Sequence, residues 1–334
     1  MSRNLLLALL TLTAPVAAEG ILLDWPVDCQ LGEDCHIQQF TDHDPGPGAV
    51  DFTCGSLSYD GHKGTDIALP SLAAMARGVT VRAAAPGVVV GLRDGMEDRI
   101  LDADRAAEID GRDCGNGVLL RHAEGWETQY CHLKQGSLRV TKGQEVAAGT
   151  PLGAIGLSGR SQFPHLHLSL RHAGKVVDPF APAADVTAPG SCAPSGEAGA
   201  ELSVPAATLW RHPPAYAATG LIALGFASTI PDYAAIKAGT ADESPLPRGS
   251  AALVLWAYGW GGQAGDELRF SLTTPEGAVL LETRQSLEKA QAQYFRAAGR
   301  RLSAELDPGD YIGTVTLWRA GQMLDQARKR MTLP

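Results

Sequence analysis

Glycine and proline punctuation constrains this chain more than any other feature. With 38 glycines and 21 prolines in 334 residues, apolar stretches are cut into runs of strand length, and turn residues recur between them. Before residue 181 those runs are Val79 to Ala83, Gly87 to Leu92, Val118 to His122, Thr128 to Leu133, Gln144 to Val146, Pro151 to Gly156 and His165 to Arg171. Runs separated by turn residues, as Ala123-Glu124-Gly125 separates two of them, predict hairpins in a mainly antiparallel sheet. Arg93 to Asp113 interrupts the pattern with eight acidic and four basic residues. It is expected as a long loop, a solvated insertion ahead of the alternative that it walls a cleft.

The organisation follows from composition shifts. Arg3, the apolar run Leu5 to Leu12 and Val16-Ala17-Ala18 predict a secretory signal peptide over residues 1–18. That run is too short to cross a bilayer core as a helix, which takes roughly 20 residues, so no transmembrane anchor is expected. A first domain is expected over 19–180. The Pro-, Ala-, Gly- and Ser-rich segment 181–200 predicts a linker. Beyond it, strand-like runs with turns at Thr274-Pro275-Glu276-Gly277 and Asp307-Pro308-Gly309-Asp310 predict a small C-terminal immunoglobulin-like β-sandwich over 201–334. Ser286 to Ala298 fits helix and strand equally. Trp210, Trp256, Trp260 and Trp318 are expected to fill cores rather than to form a sugar platform.

Charge and cysteines narrow the setting. Lys and Arg number 28 against 37 Asp and Glu, a formal net charge of −9, and no basic block offers the footprint that nucleic acid requires. Six cysteines in an exported chain predict disulfides, with Cys29 and Cys35 able to close a small loop; 15 connectivities are open. The oligomeric state is not legible.

Chemistry concentrates in three short stretches. In Phe163-Pro164-His165-Leu166-His167-Leu168, strand alternation puts both histidines on one face, where a metal can take a ring lone pair directly. In Gly61-His62-Lys63-Gly64-Thr65-Asp66 a turn entering a strand can aim His62 and Asp66 at one point, and both are zinc-ligand types. Thr128-Gln129-Tyr130-Cys131-His132-Leu133 is again strand-like. Alternation there sets Cys131 opposite His132, which favours a disulfide or core role for Cys131.

The order of these motifs resembles the lysostaphin/LytM-type zinc metallopeptidases. His-x-x-x-Asp comes first, then Ala85-Pro86-Gly87-Val88-Val89, Gly115-Asn116-Gly117, Tyr130-Cys131-His132-Leu133, Gly143-Gln144-Glu145-Val146, Gly156-Leu157-Ser158-Gly159 and His165-Leu166-His167. The resemblance runs from about residue 57 to Pro179. It implies a LytM-like antiparallel β catalytic domain with one zinc ion held by His62, Asp66 and His167, and with His132 and His165 as the non-ligand catalytic histidines. It further implies an endopeptidase acting on peptide cross-links or bridges of bacterial peptidoglycan, and the signal sequence makes the expected place of work exported, periplasmic or else extracellular. The alternative is a non-catalytic LytM-like regulator of another wall hydrolase. Two departures are Gln162-Phe163-Pro164 before the His-Leu-His run and Cys131 where the family often has alanine. His36 or Asp42, upstream of the motifs, is a candidate for occupying the open metal position.

Overall fold

The computed structural model describes residues 20–190, 192 and 207–334. The expected signal peptide, residues 1–18, lies outside the described residues, as does most of 191–206. Among the described residues no helix is long and apolar enough to cross a membrane.

The chain is mainly β and its sheets are antiparallel. In chain order the first unit contains β1 (His36–Gln39), β2 (Thr65–Ala68), α1 (Leu72–Arg77), β3 (Thr80–Arg82), β4 (Gly87–Arg93), α2 (Ala103–Glu108), β5 (Asn116–Arg121), β6 (Trp126–Leu133), β7 (Glu145–Val146), β8 (Pro151–Ala154), β9 (His165–His172) and β10 (Lys175–Val176). Its large sheet has the order β1-β2-β9-β6-β5-β4-β7, with β10 beside β9, while β3 and β8 pair separately. The alternation in β9 decides the layering. Leu166, Leu168 and Leu170 are buried in the core with Ile67, Leu120 and Tyr130, so His165, His167 and Ser169 project from the opposite face.

The predicted hairpin of β5 and β6 forms, closed by a short 3₁₀ turn over Ala123–Gly125. The insertion is not wholly irregular. Asp102 caps α2 by accepting the backbone N–H of Arg105 at 2.7 Å, as an N-terminal Asp does for orphan donors in the first turn. Three disulfides join Cys29 to Cys35, Cys54 to Cys192 and Cys114 to Cys131.

The second unit comprises β11 (Gly220–Ala227), α3 (Tyr233–Ala238), β12 (Ala252–Gly262), β13 (Glu267–Thr273), β14 (Val279–Ser286), β15 (Gln291–Arg301), β16 (Gly309–Arg319) and β17 (Gln322–Leu333). A sheet β11-β12-β15 and a sheet β14-β13-β16-β17 share one core of Phe226, Leu253, Leu255, Phe270, Tyr294, Val315 and Leu317. This is a seven-stranded sandwich. The ambiguous stretch Ser286 to Ala298 resolves as the end of β14 followed by β15, because Tyr294 is needed in that core. Trp210, Trp256 and Trp260 are buried; Trp318 is half-buried, with the Arg269 guanidinium 3.8 Å from its ring centre.

The two units meet along a seam. Leu23 N–H donates to Leu209 O at 2.8 Å and Arg211 N–H to Leu23 O at 2.9 Å, which lays Trp210 in the first unit's core. The Gln38 amide donates to Ala292 O at 2.8 Å, and the His36 ring stacks on Trp260 at 5.2 Å.

Candidate metal centre

Register brings the ligand candidates together. Asp66 on β2 pairs with His167 on β9, and His167 pairs with Cys131 on β6, so their side chains share a face. His62 enters from the turn before β2. Gly64 lets it do so, since a Cβ there would press on the His167 ring and overlap Leu168 O.

The donors converge closely. His62 Nε2 lies 3.1 Å from Asp66 Oδ1 and 3.1 Å from His167 Nδ1, and His167 Nδ1 lies 2.8 Å from Asp66 Oδ1. These three residues form a group able to hold a metal ion. Donors about 2.0–2.1 Å from a tetrahedral zinc would be roughly 3.3 Å apart, so the cluster is nearly of the required size.

The outer hydrogen bonds determine which lone pairs face inward. His62 Nδ1–H donates to Phe40 O at 2.7 Å, leaving Nε2 as the inward atom. The Ser169 hydroxyl donates to Lys63 O at 2.6 Å and therefore accepts from His167 Nε2–H at 3.0 Å, leaving Nδ1 inward. Two imidazole lone pairs and a carboxylate thus face one point. A proton or a cation must lie among them, and a divalent cation satisfies all three at once. Burial disfavours charge on His62, but Asp66, the hydrogen bond to the Phe40 carbonyl and the charge of Asp42 together outweigh it and raise the His62 pKa. Burial likewise opposes ionisation of Asp66, yet the charges of His62 and His165 and the hydrogen bonds of His167 and His62 hold that carboxyl well below the usual range. Metal binding is therefore expected to displace a proton.

His132 and His165 stand beside this set rather than in it. Their ring centres are 4.6 Å apart, and His165 Nε2 is 3.6 Å from Asp66 Oδ1. His132 Nδ1–H donates to Ser158 O at 2.7 Å, and His165 Nδ1–H donates to Phe163 O at 2.9 Å. Each Nε2 is then unprotonated in the neutral ring. Burial lowers both pKa values, helped for His132 by His165 and His167. Both rings are thereby biased toward the neutral form.

Strict alternation fails at His132, and the failure brings it to the site. The β5–β6 ladder slips between Asn116 and Val118, so Cys131 and His132 together oppose Gly117. His132 takes a φ of 61°. Such a bulge re-aims a side chain, and a non-glycine residue in the left-handed region marks a constrained position. Cys131 and His132 consequently lie toward the same side, with Cys131 occupied by its disulfide to Cys114.

The upstream candidates are engaged elsewhere. His36 Nε2–H donates to Gln38 Oε1 at 3.0 Å; Asp42 accepts the N–H groups of Asp44, Val50 and Gly61. His122 bonds Pro86 O and Thr128, His43 pairs with Asp178, and His172 stacks on Trp126. Sequence reading missed Tyr59, whose half-exposed ring lies 4.4 Å from His62. Burial and the charges of Asp66 and Asp113 raise its pKa, so the phenol keeps its proton and can donate. It also missed Ser158, Ser161 and Ser169, whose roles lie in backbone geometry that residue type does not announce.

The antiparallel β domain thus carries a His-Asp-His group able to hold a metal ion, with two further histidines beside it. Residues 60–179 match the family model described as Peptidase family M23 and are an M23 domain. This segment is 43% identical over 68 residues to the cell division protein DipM of Caulobacter vibrioides, covering 20% of this chain and 11% of that protein. It is 35% identical over 120 residues to the DD-carboxypeptidase/endopeptidase Mpg of Neisseria meningitidis serogroup B, covering 35% of this chain and 22% of that one. The matches thus span about a fifth or less of these relatives' lengths. Among solved structures, the catalytic domain of lysostaphin from Staphylococcus simulans aligns at 23% identity over 36% of this chain and 77% of that one, with a TM-score of 0.26.

Proposed function

We propose that this protein is an exported, zinc-dependent endopeptidase that hydrolyses peptide cross-links of bacterial peptidoglycan, with the periplasm as its place of work. The convergence of three inward lone pairs on one point, at His62, Asp66 and His167, is the observation that carries the reading. Zinc held there supplies Lewis-acid polarisation of a scissile carbonyl and of the attacking water.

The chain's own groups do the remainder. Asp66 and the two ligating rings fix the centre, and the Phe40 carbonyl and Ser169 hydroxyl lock their tautomers. His132 and His165 present unprotonated Nε2 atoms, so one ring can take the proton of the attacking water and pass it to the leaving amine. The ring that carries the water's proton, before it passes that proton on, and the Tyr59 hydroxyl can each donate to the oxyanion of the tetrahedral stage. The half-buried Phe163 ring, 4.5 Å from His165, narrows that side and bears on substrate choice.

A complete donor set favours catalysis over the non-catalytic regulator. The relatives carry the same direction, since Mpg is described as a DD-carboxypeptidase/endopeptidase and ShyA of Vibrio cholerae as a peptidoglycan DD-endopeptidase. Incubating the zinc-loaded full chain with purified peptidoglycan is expected to release new amine termini, and a chelator or His62→Ala to stop the release. Folded, zinc-loaded protein that leaves the wall intact would overturn the reading. Product masses from walls of different bridge chemistry identify the bond.

A further inference from the structure

Residues 93–113 are fastened to the catalytic side rather than merely solvated. Leu101 N–H donates to Ser161 O at 2.8 Å, and the Ser161 hydroxyl lies 3.1 Å from His165 Nδ1. The Met96 backbone is held on both sides by the Asn116 amide, at 2.8 and 2.7 Å. At the centre stands Asp98. Its Oδ1 accepts the N–H of Leu157 at 2.7 Å and its Oδ2 accepts the N–H of Gln135 at 3.0 Å.

Those two donors belong to separate segments, one leaving β6 and one leaving β8. His132 bridges the same pair of segments. Its Nδ1–H reaches Ser158 O at 2.7 Å, and its carbonyl accepts the N–H of Gly156 at 3.0 Å. The Asp98 carboxylate therefore closes a ring that runs through 132–135 and 156–158. Gly156 makes room for it, because a Cβ there would collide with Asp98 Oδ1 and the Lys134 backbone. A left-handed residue such as His132 persists only where its surroundings over-determine it, and Asp98 is one such surrounding group.

We propose that Asp98 is a positioning residue: it holds the two segments at the spacing that keeps His132 Nδ1–H on Ser158 O and Nε2 turned to the centre. This makes the insertion a working part of the site. The inference rests on the role given above to His132, and its test separates the two.

In the zinc-loaded full chain, Asp98→Ala is expected to lower kcat on stem-peptide substrates about ten- to a hundredfold, as a misplacement near 1 Å does. KM and the zinc content are expected to hold, since none of His62, Asp66 and His167 is hydrogen-bonded to Asp98 or to the N–H groups that it accepts. Independently of turnover, the hydrogen-bonded Nδ1–H proton of His132, read by NMR, is expected to be present in the wild type and lost to exchange in Asp98→Ala. Asp94→Ala is the control. Asp94 lies in the same insertion and accepts the Gly136 N–H at 2.8 Å, and its loss is expected to leave the His132 signal and kcat unchanged. If Asp98→Ala fails to fold, Asp98→Asn, which keeps one acceptor oxygen, carries the same two readouts with an intermediate effect. A folded Asp98 variant with wild-type kcat and signal would overturn the proposal, as would an equal loss in Asp94→Ala. A His132 signal that depends on Asp98 in a protein that leaves peptidoglycan intact would keep the positioning role and defeat the hydrolase reading.

Discussion

In the sandwich, β13 and β16 send Leu268, Phe270, Leu272, Val315 and Leu317 inward, while Arg269, Ser271 and Thr316 remain outside the core. The large sheet before residue 180 is built on the same alternation, yet its second face buries His165, Asp66 and Ser169, with His132 and His62 joining from a bulge and a turn. Among the described residues beyond 207 the buried polar side chains are Thr219 and Asp266. Burial of apolar surface stabilises at roughly 25 cal/mol per Å², whereas buried polar groups contribute only when every partner is in place. One region is organised for stability, and the other spends stability on a reactive arrangement.

The sharpest test of that contrast pairs a variant from each region. His167→Ala is expected to abolish zinc retention and to lower hydrolysis by about a thousandfold or more, as measured by metal analysis and amine release. Phe270→Ala is expected to cost about 3–5 kcal/mol in urea unfolding and to leave zinc stoichiometry unchanged. Loss of metal in Phe270→Ala, or a stability loss of that size in metal-free His167→Ala, would break the division of labour.

A smaller effect links the regions of the first unit. Cys114 and Cys131 are 17 residues apart in sequence, and removing such a cross-link is expected to cost about 3 kcal/mol. Cys114 also accepts the His132 N–H through its carbonyl at 2.8 Å. The double variant Cys114→Ser, Cys131→Ser is therefore expected to lose activity below its unfolding temperature, with zinc retained. Equal losses of stability and activity across all temperatures would show the disulfide to be structural alone.

Much of this was legible in the sequence because periodicity and chemistry coincided there. The run His165-Leu166-His167-Leu168-Ser169-Leu170 carries its own layering, and the turn glycines carry the approach of His62. The bulge at His132 was not legible, since it depends on pairing with Gly117 rather than on any local signal. Nor was the fastening of Arg93 to Asp113, where charge density suggested solvation but Asp98 and Leu101 turn inward to backbone groups. Ser286 to Ala298 was ambiguous because its Ala and Gln favour one state and its aromatics the other; the demand of the sandwich core for Tyr294 decided it.

The smallest effect at neutral pH lies at the seam, where the two kinds of burial touch. His36 is buried, stacked on Trp260 of the sandwich, and burial lowers its pKa to about 4 against the weaker opposing effect of its hydrogen bond to Gln38. The carboxylates of Glu33, Asp34 and Asp325 line the same crevice. Because the folded value is below the ordinary 6.5, the unfolded chain binds more protons between those limits. The contribution is thus full above pH 6.5 and is lost as pH falls toward 4, reaching about 3 kcal/mol at the acid end. His132 and His165 are also lowered by burial and give the same sign, so the difference between wild type and His36→Leu isolates the seam. The variant is expected to show a shallower fall in urea stability between pH 6.5 and 4, with kcat at neutral pH unchanged. A slope identical to that of the wild type would mean that the stack on Trp260 opens to water before His36 titrates, and that the two units are joined chiefly through Leu23, Leu209 and Trp210.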